Sequence, residues 1–108
     1  MWRVACWMYC RKVIRGGRLA SIHAYWVNRQ LAKMCHANAP RAWVGGLYLH
    51  EAKNYVWTDG TEMDYQNWSR GEPNLLAKEF CIEMFGNGKW NDLPCKVKQA
   101  YICEYRLP

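Results

Sequence analysis

The chain has 108 residues, 51% of them hydrophobic, with seven Trp and seven Tyr; so much aromatic surface has to be buried, which excludes disorder and supports one domain, residues 1–108, around one modest core. The formal net charge of +6 is uneven: Arg3, Arg11, Lys12, Arg15, Arg18, Arg29, Lys33 and Arg41 precede residue 50 without one acidic residue, and all nine acids follow it. Such asymmetry marks either a solvated helical face or a surface for acidic glycans or anionic membrane, while nucleic acid is disfavoured because the acids cluster in the half that carries recognisable chemistry.

Taken in chain order, Trp2, Ala5, Cys6, Tyr9, Cys10 and Val13 recur at three- and four-residue steps, which predicts an amphipathic first helix closed by Gly16-Gly17. The same segment lacks a small-residue cleavage site, so it is not read as a signal sequence. Arg18 to His23 reads as a short extended stretch. A second helix is predicted from about Tyr25 to Cys35, with Val27, Leu31 and Met34/Cys35 on its inner face, ended by Asn38-Ala-Pro40. Strands follow at Ala42–Leu49, Tyr55–Trp57, Phe80–Met84 and Ala100–Glu104. Between the second and third of these lies a long polar segment with turn signals at Thr58-Asp59-Gly60 and Arg70-Gly-Glu-Pro-Asn74, and Gly86-Asn-Gly88 marks a turn after Met84. Helices first and short strands afterwards give an α+β class. A loop of that length is usually functional. No apolar run approaches the roughly 18–20 residues that span a bilayer.

Six cysteines in so short a chain point to a disulfide-stapled domain of an oxidising compartment. A zinc site would need close Cys/His pairs. Cys6 and Cys10 are the only tight pair, and His23 and His36 are not spaced to complete it. The three His have no nucleophile partner, so no catalytic residue is assigned.

The segment from Gly71 to Asp92 concentrates hard oxygen donors: Glu72, Asn74, Glu79, Asn91 and Asp92. Calcium takes six to eight oxygens from carboxylates, amides and carbonyls, and no His or Cys is present to favour a softer metal. An ordinary polar loop would have much the same content. Pro73, set between two donors, changes the odds, because a cis Glu-Pro bond would aim both side chains to one side.

The ordered motifs now resemble the C-type lectin-like domain family, and within it the sugar-binding members. The carriers are Trp2-x-x-Ala5 with Cys10, Gly17-Arg-Leu-Ala-Ser-Ile-His23, Trp43-Val-Gly-Gly46, and Trp57-Thr-Asp-Gly60 with Tyr65 and Trp68. Glu72-Pro73-Asn74, Glu79-x-Cys81, Trp90-Asn91-Asp92 and Tyr101-Ile-Cys103-Glu104 complete the set. The resemblance implies disulfides Cys10–Cys103 and Cys81–Cys95. Cys6 and Cys35 are left over, on the two predicted helices. They could form a third bridge, pair with a second chain, or stay as buried thiols. It also implies one bound calcium ion held by Glu72, Asn74, Glu79, Asn91 and Asp92. Two neighbouring hydroxyls of a sugar would complete its shell, hydrogen-bonded by Glu72, Asn74, Glu79 and Asn91. The Glu-Pro-Asn triplet goes with mannose, N-acetylglucosamine and fucose type ligands. Glycans or glycoproteins are therefore the expected partners of a secreted or extracellular, non-enzymatic domain, presented by a homo-oligomer where avidity is needed.

Against the family pattern, three departures stand out. The first strand is expected to be absent, leaving the edge of Ala100–Glu104 unpaired and open to dimerisation. Leu75 and Phe80 stand where acids build an auxiliary calcium site, so a single ion is expected. Ala24-Tyr25-Trp26 replaces the usual polar helix cap. Trp43, Trp57, Trp68 and Trp90 are assigned to the core, and Asn67-Trp68-Ser69 has the form of a glycosylation sequon. The rival functions are a calcium-independent module on the same fold, binding protein, ice or mineral, and an anionic-polymer binder using the basic first half.

Overall fold

The computed structural model describes residues 2–7, 17–36, 40–74 and 80–106. Seven strands form one mixed sheet: β1 (Trp2–Trp7), β2 (Arg18–Leu19), β3 (Arg41–Leu49), β4 (Asn54–Trp57), β5 (Cys81–Phe85), β6 (Trp90–Leu93) and β7 (Ala100–Arg106). The order is β1-β7-β3-β5-β6, with β2 added to β7 and β4 to β3. All pairs are antiparallel except β3 and β7, which run parallel through Ala42 opposite Ala100 and Trp43 opposite Tyr101. One helix among the described residues, α1 (Tyr25–His36), packs against β1 and β5.

Two expectations are corrected here. Residues 2–7 are not helical, and the first strand is not missing: β1 pairs with β7 from Trp2 opposite Arg106 to Trp7 opposite Tyr101. The edge of β7 that was expected to be open is therefore covered. The physical reason is that Trp-Arg-Val-Ala-Cys-Trp satisfies both periods. Its three- and four-residue steps suit a helix, but two Trp and a Val also suit a strand, and the pairing partner lies at the far end of the chain. Cys6 accordingly sits on a strand. The remainder of the predicted first helix, residues 8–16, lies outside the described residues, as does Cys10.

The other elements lie close to their predicted places. β3 is buried from Ala42 to Gly46 because it lies between β7 and β5. Its two glycines serve separate contacts. A methyl at Gly45 would come within 2.9 Å of the Leu19 carbonyl, and one at Gly46 would overlap the Ile82 side chain. The β3–β5 register shifts between Trp43 and Leu47, at these glycines. In α1 the buried arc is Leu31, Asn28 and Ala32. Val27 lies at its margin, and Met34, predicted to face inward, is 43% exposed.

Trp57 and Trp90 are fully buried and meet edge to face at 5.6 Å, while Tyr65 and Trp68 close on Trp90 at 5.9 and 5.8 Å. Trp43 is buried as well and Trp68 half-buried, so all four tryptophans serve the core. Buried Trp90 donates from Nε1 to Asn28 Oδ1 at 2.7 Å, and Asn28 Nδ2 donates to the Gly88 carbonyl at 2.9 Å. This joins α1 to the β5–β6 turn.

Candidate functional site

Among the described residues, the long segment after β4 is joined to β6 at Trp90. Trp68 forms an isolated parallel bridge with Trp90, with the Trp90 amide donating to the Asn67 carbonyl (2.9 Å) and the Ser69 amide to the Trp90 carbonyl (2.8 Å). A turn follows, closed by the Glu72 amide on the Ser69 carbonyl at 3.0 Å, with Gly71 at φ +82° as glycine readily adopts. The chain is thereby delivered to β6 two residues beyond Trp90, beside Asp92.

Three of the five sequence-predicted ligands meet there. The Asn74 amide donates to Asp92 Oδ1 at 3.1 Å, and Asn74 Nδ2 donates to Glu72 Oε1 at 3.0 Å. The Glu72–Pro73 bond is cis. Glu72 Oε2 is buried with no hydrogen-bond donor among the described residues. Burial first, and the neighbouring Asp92 carboxylate next, raise the Glu72 pKa above the ordinary carboxylate range. The other Asp92 oxygen, Oδ2, accepts the Tyr55 hydroxyl at 3.3 Å. Burial and then Asp92 raise the Tyr55 pKa far above a free phenol's, so the hydroxyl stays protonated and can donate to Asp92.

Two acids, one with an uncompensated buried oxygen, beside an amide side chain could hold a hard cation. The donor set fits calcium, which accepts mixed carboxylate and amide oxygens.

Of the other two predicted ligands the described residues include only Asn91, which is not part of this group. Glu79, like Leu75, lies outside the described residues. Asn91 follows the strand alternation onto the opposite face of β6 from Asp92, where its Nδ2 donates to Glu83 Oε2 at 2.8 Å. Glu83 is fully buried and held by a fork from Arg41, 2.8 Å at Nε and 2.6 Å at Nη2. Among the described residues no three His, Cys, Asp or Glu side chains converge. Tyr55 and Glu83 were both missed as site-supporting residues. Each lies in a strand, and nothing local to either distinguishes it from an ordinary strand position.

Cys81 and Cys95 are disulfide-bonded at 2.03 Å, tying β5 to the segment after β6. Cys103 is also in a disulfide. Its expected partner, Cys10, and the side chains of Cys6 and Cys35 are outside the described residues. No helix among the described residues is long and apolar enough to cross a membrane.

The model of the lectin C-type domain matches residues 5–105. The chain belongs to the C-type lectin domain family. A relative described as a lectin, from Pleurodeles waltl, is 40% identical over 106 residues; the match covers 93% of this chain but only 62% of that protein's length. Among solved structures, the chain is similar to the C-type carbohydrate-recognition domain of cow CD23, solved in the presence of a GlcNAc2Man3 oligosaccharide. The TM-score is 0.76 and the identity 30%, covering 99% of this chain and 88% of that one. It is also similar to a calcium-independent type II antifreeze protein, with TM-score 0.79 and 29% identity, covering 96% and 85%. The C-type lectin fold is therefore shared between a sugar-associated and a calcium-independent protein. The function of this C-type lectin domain has to be argued from its site.

Proposed function

We propose that this domain is a calcium-dependent, non-enzymatic carbohydrate-binding module of the mannose, N-acetylglucosamine and fucose class, acting outside the cell. The observation that carries the reading is the pairing of Glu72 with Asp92 beside Asn74, with Glu72 Oε2 buried and lacking a donor. Glu72, Asn74 and Asp92 would hold the ion together with Glu79. Asn91, expected in the same set, lies on the opposite face of β6, where its amide donates to Glu83. Calcium, when bound, supplies open coordination positions for two neighbouring hydroxyls of a sugar. The residues fix which hydroxyls fit: Glu72 and Glu79 accept hydrogen bonds from them, and Asn74 donates. A shallow site of this kind binds one sugar weakly, so useful affinity requires several copies presented together. The disulfides agree with an oxidising, extracellular setting.

The test is retention on immobilised mannose in calcium and release by a chelator. Folded protein that is not retained at all refutes the reading. The double variant Glu72→Gln, Asn74→Asp should move preference toward galactose, and unchanged mannose binding would refute the role given to that triplet. The likeness to the calcium-independent antifreeze protein favours a second reading, calcium-independent binding on the same fold. Retention that survives chelation would establish it in place of the first.

A further inference from the structure

Helix α1 presents an outer face that the calcium site does not use. Its sequence, Tyr-Trp-Val-Asn-Arg-Gln-Leu-Ala-Lys-Met-Cys-His, contains no acidic residue. Tyr25, Arg29 and Lys33 recur every four residues and so form one ridge, with neighbouring side chains about 5–6 Å apart. Trp26, Gln30 and Met34 form the adjoining ridge. All six are exposed, Tyr25 by 64% and Trp26 by 65%, and these two rings touch edge to face at 5.4 Å. A third cation joins from another element. The β5–β6 turn is fastened to the helix where Asn28 and Asn67 both donate to the Gly88 carbonyl, at 2.9 and 2.7 Å, and Lys89 Nζ donates to Asn67 Oδ1 at 3.3 Å. Lys89 thus extends from the turn that α1 holds through Asn28, the residue before Arg29. None of these three cations has an acidic partner among the described residues, whereas Arg18 and Arg41 do.

We infer that this face binds a sulfated linear glycan. Cations in a row without counter-charges match an extended polyanion, and two exposed aromatic rings beside them offer flat surfaces to sugar rings. An anionic bilayer fits less well. The exposed apolar side chains Trp26 and Met34 are separated by the amide of Gln30, so the face has no continuous apolar strip to insert. The surface belongs to α1 and the β5–β6 turn, not to Glu72, Asn74 or Asp92, and does not depend on the proposed mannose site.

The test uses the whole chain on immobilised heparin, with chelator and excess mannose present to silence the calcium site. Wild-type protein should be retained and released by salt. Arg29→Gln, Lys33→Gln, Lys89→Gln should bind at least about tenfold more weakly and show a shallower salt dependence. Tyr25→Ala with Trp26→Ala should weaken binding several-fold without changing the salt dependence. The charge-matched control Lys53→Gln, Lys96→Gln, Lys98→Gln should bind like wild type. Equal weakening in that control means plain ion exchange and overturns the inference, as does equal retention on desulfated heparin. Capture by phosphatidylserine vesicles that the helix variant abolishes and heparin fails to compete away would overturn it in favour of a membrane surface.

Discussion

Tyr55 on β4 donates its hydroxyl to Asp92 Oδ2 on β6 at 3.3 Å, while the other oxygen of the same carboxylate takes the Asn74 amide at 3.1 Å. The carboxylate proposed to hold calcium is thus fixed from both sides before any ion arrives. One donor comes from the sheet and the other from the long loop. Such support of a ligand by its neighbours commonly sets metal affinity.

Tyr55→Phe should therefore weaken calcium binding by roughly tenfold, while costing only about 1 kcal/mol of folding stability. Calcium titration and urea unfolding of the same sample check it. A stability loss with unchanged calcium affinity would mean that Tyr55 only packs.

Calcium should stabilise the folded domain and chelation should lower its midpoint. At a hundredfold excess over the dissociation constant the gain is about 2.7 kcal/mol. The gain should shrink in acid. Burial and Asp92 raise the Glu72 pKa, so without the ion Glu72 protonates above the ordinary value of about 4.3. The proton competes with the cation, and binding weakens as pH falls into that range. Without calcium the sign reverses: Glu72 contributes stability at low pH that is lost as pH rises through its raised pKa. Unfolding curves at several pH values, with and without calcium, should diverge as pH rises; parallel curves would contradict this.

Asp59 should behave in the opposite sense. It accepts from Ser21 Oγ at 2.7 Å and from the Thr61 amide and hydroxyl at 2.9 and 2.5 Å, with Arg18 Nη2 at 3.7 Å. Burial alone would raise its pKa. The hydrogen bonds from Thr61 and Ser21 and the charge of Arg18 outweigh that and lower it. Its stabilisation is present above the unfolded value of about 3.9 and is lost as pH falls toward the lowered one. Asp59→Asn should cost about 1.5–3 kcal/mol near neutral pH and flatten the acid limb of the stability profile.

Asn28→Leu should cost about 1–3 kcal/mol, because it strands the buried Trp90 Nε1 and removes one donor from the Gly88 carbonyl. It should also loosen the β5–β6 turn from the helix. Faster amide exchange at Lys89 and Trp90 than at the centre of β3 would report that loosening, and equal protection would argue against it.

Much of this was legible in the residues. The helix over Tyr25–His36 follows from its period, and the strands from apolar runs bounded by Gly and Pro. The meeting of Glu72 with Asn74 is nearly local, two residues apart across a proline. The meeting with Asp92 was legible only through ordered motifs, since the return of the chain to β6 depends on the Trp68–Trp90 bridge. The direction of Asn91 could not be read at all. Adjacent donors in a sequence look equivalent, but in a strand they face opposite sides, and Glu83 with its Arg41 fork claims one of them.

By itself, the sequence determined what depends on short range: where α1 starts and stops, where the turns fall, which oxygen donors the long loop carries, and which four tryptophans sit within fold motifs. Tertiary structure alone decided the state of residues 2–7, because a pattern that suits both helix and strand is resolved by its partner, and that partner is β7, at the other end of the chain. It also decided that Tyr55 supports Asp92 and that α1 holds the distant β5–β6 turn through Asn28. Both depend on which surfaces the closed sheet buries, and burial is a property of the whole packed chain rather than of any segment.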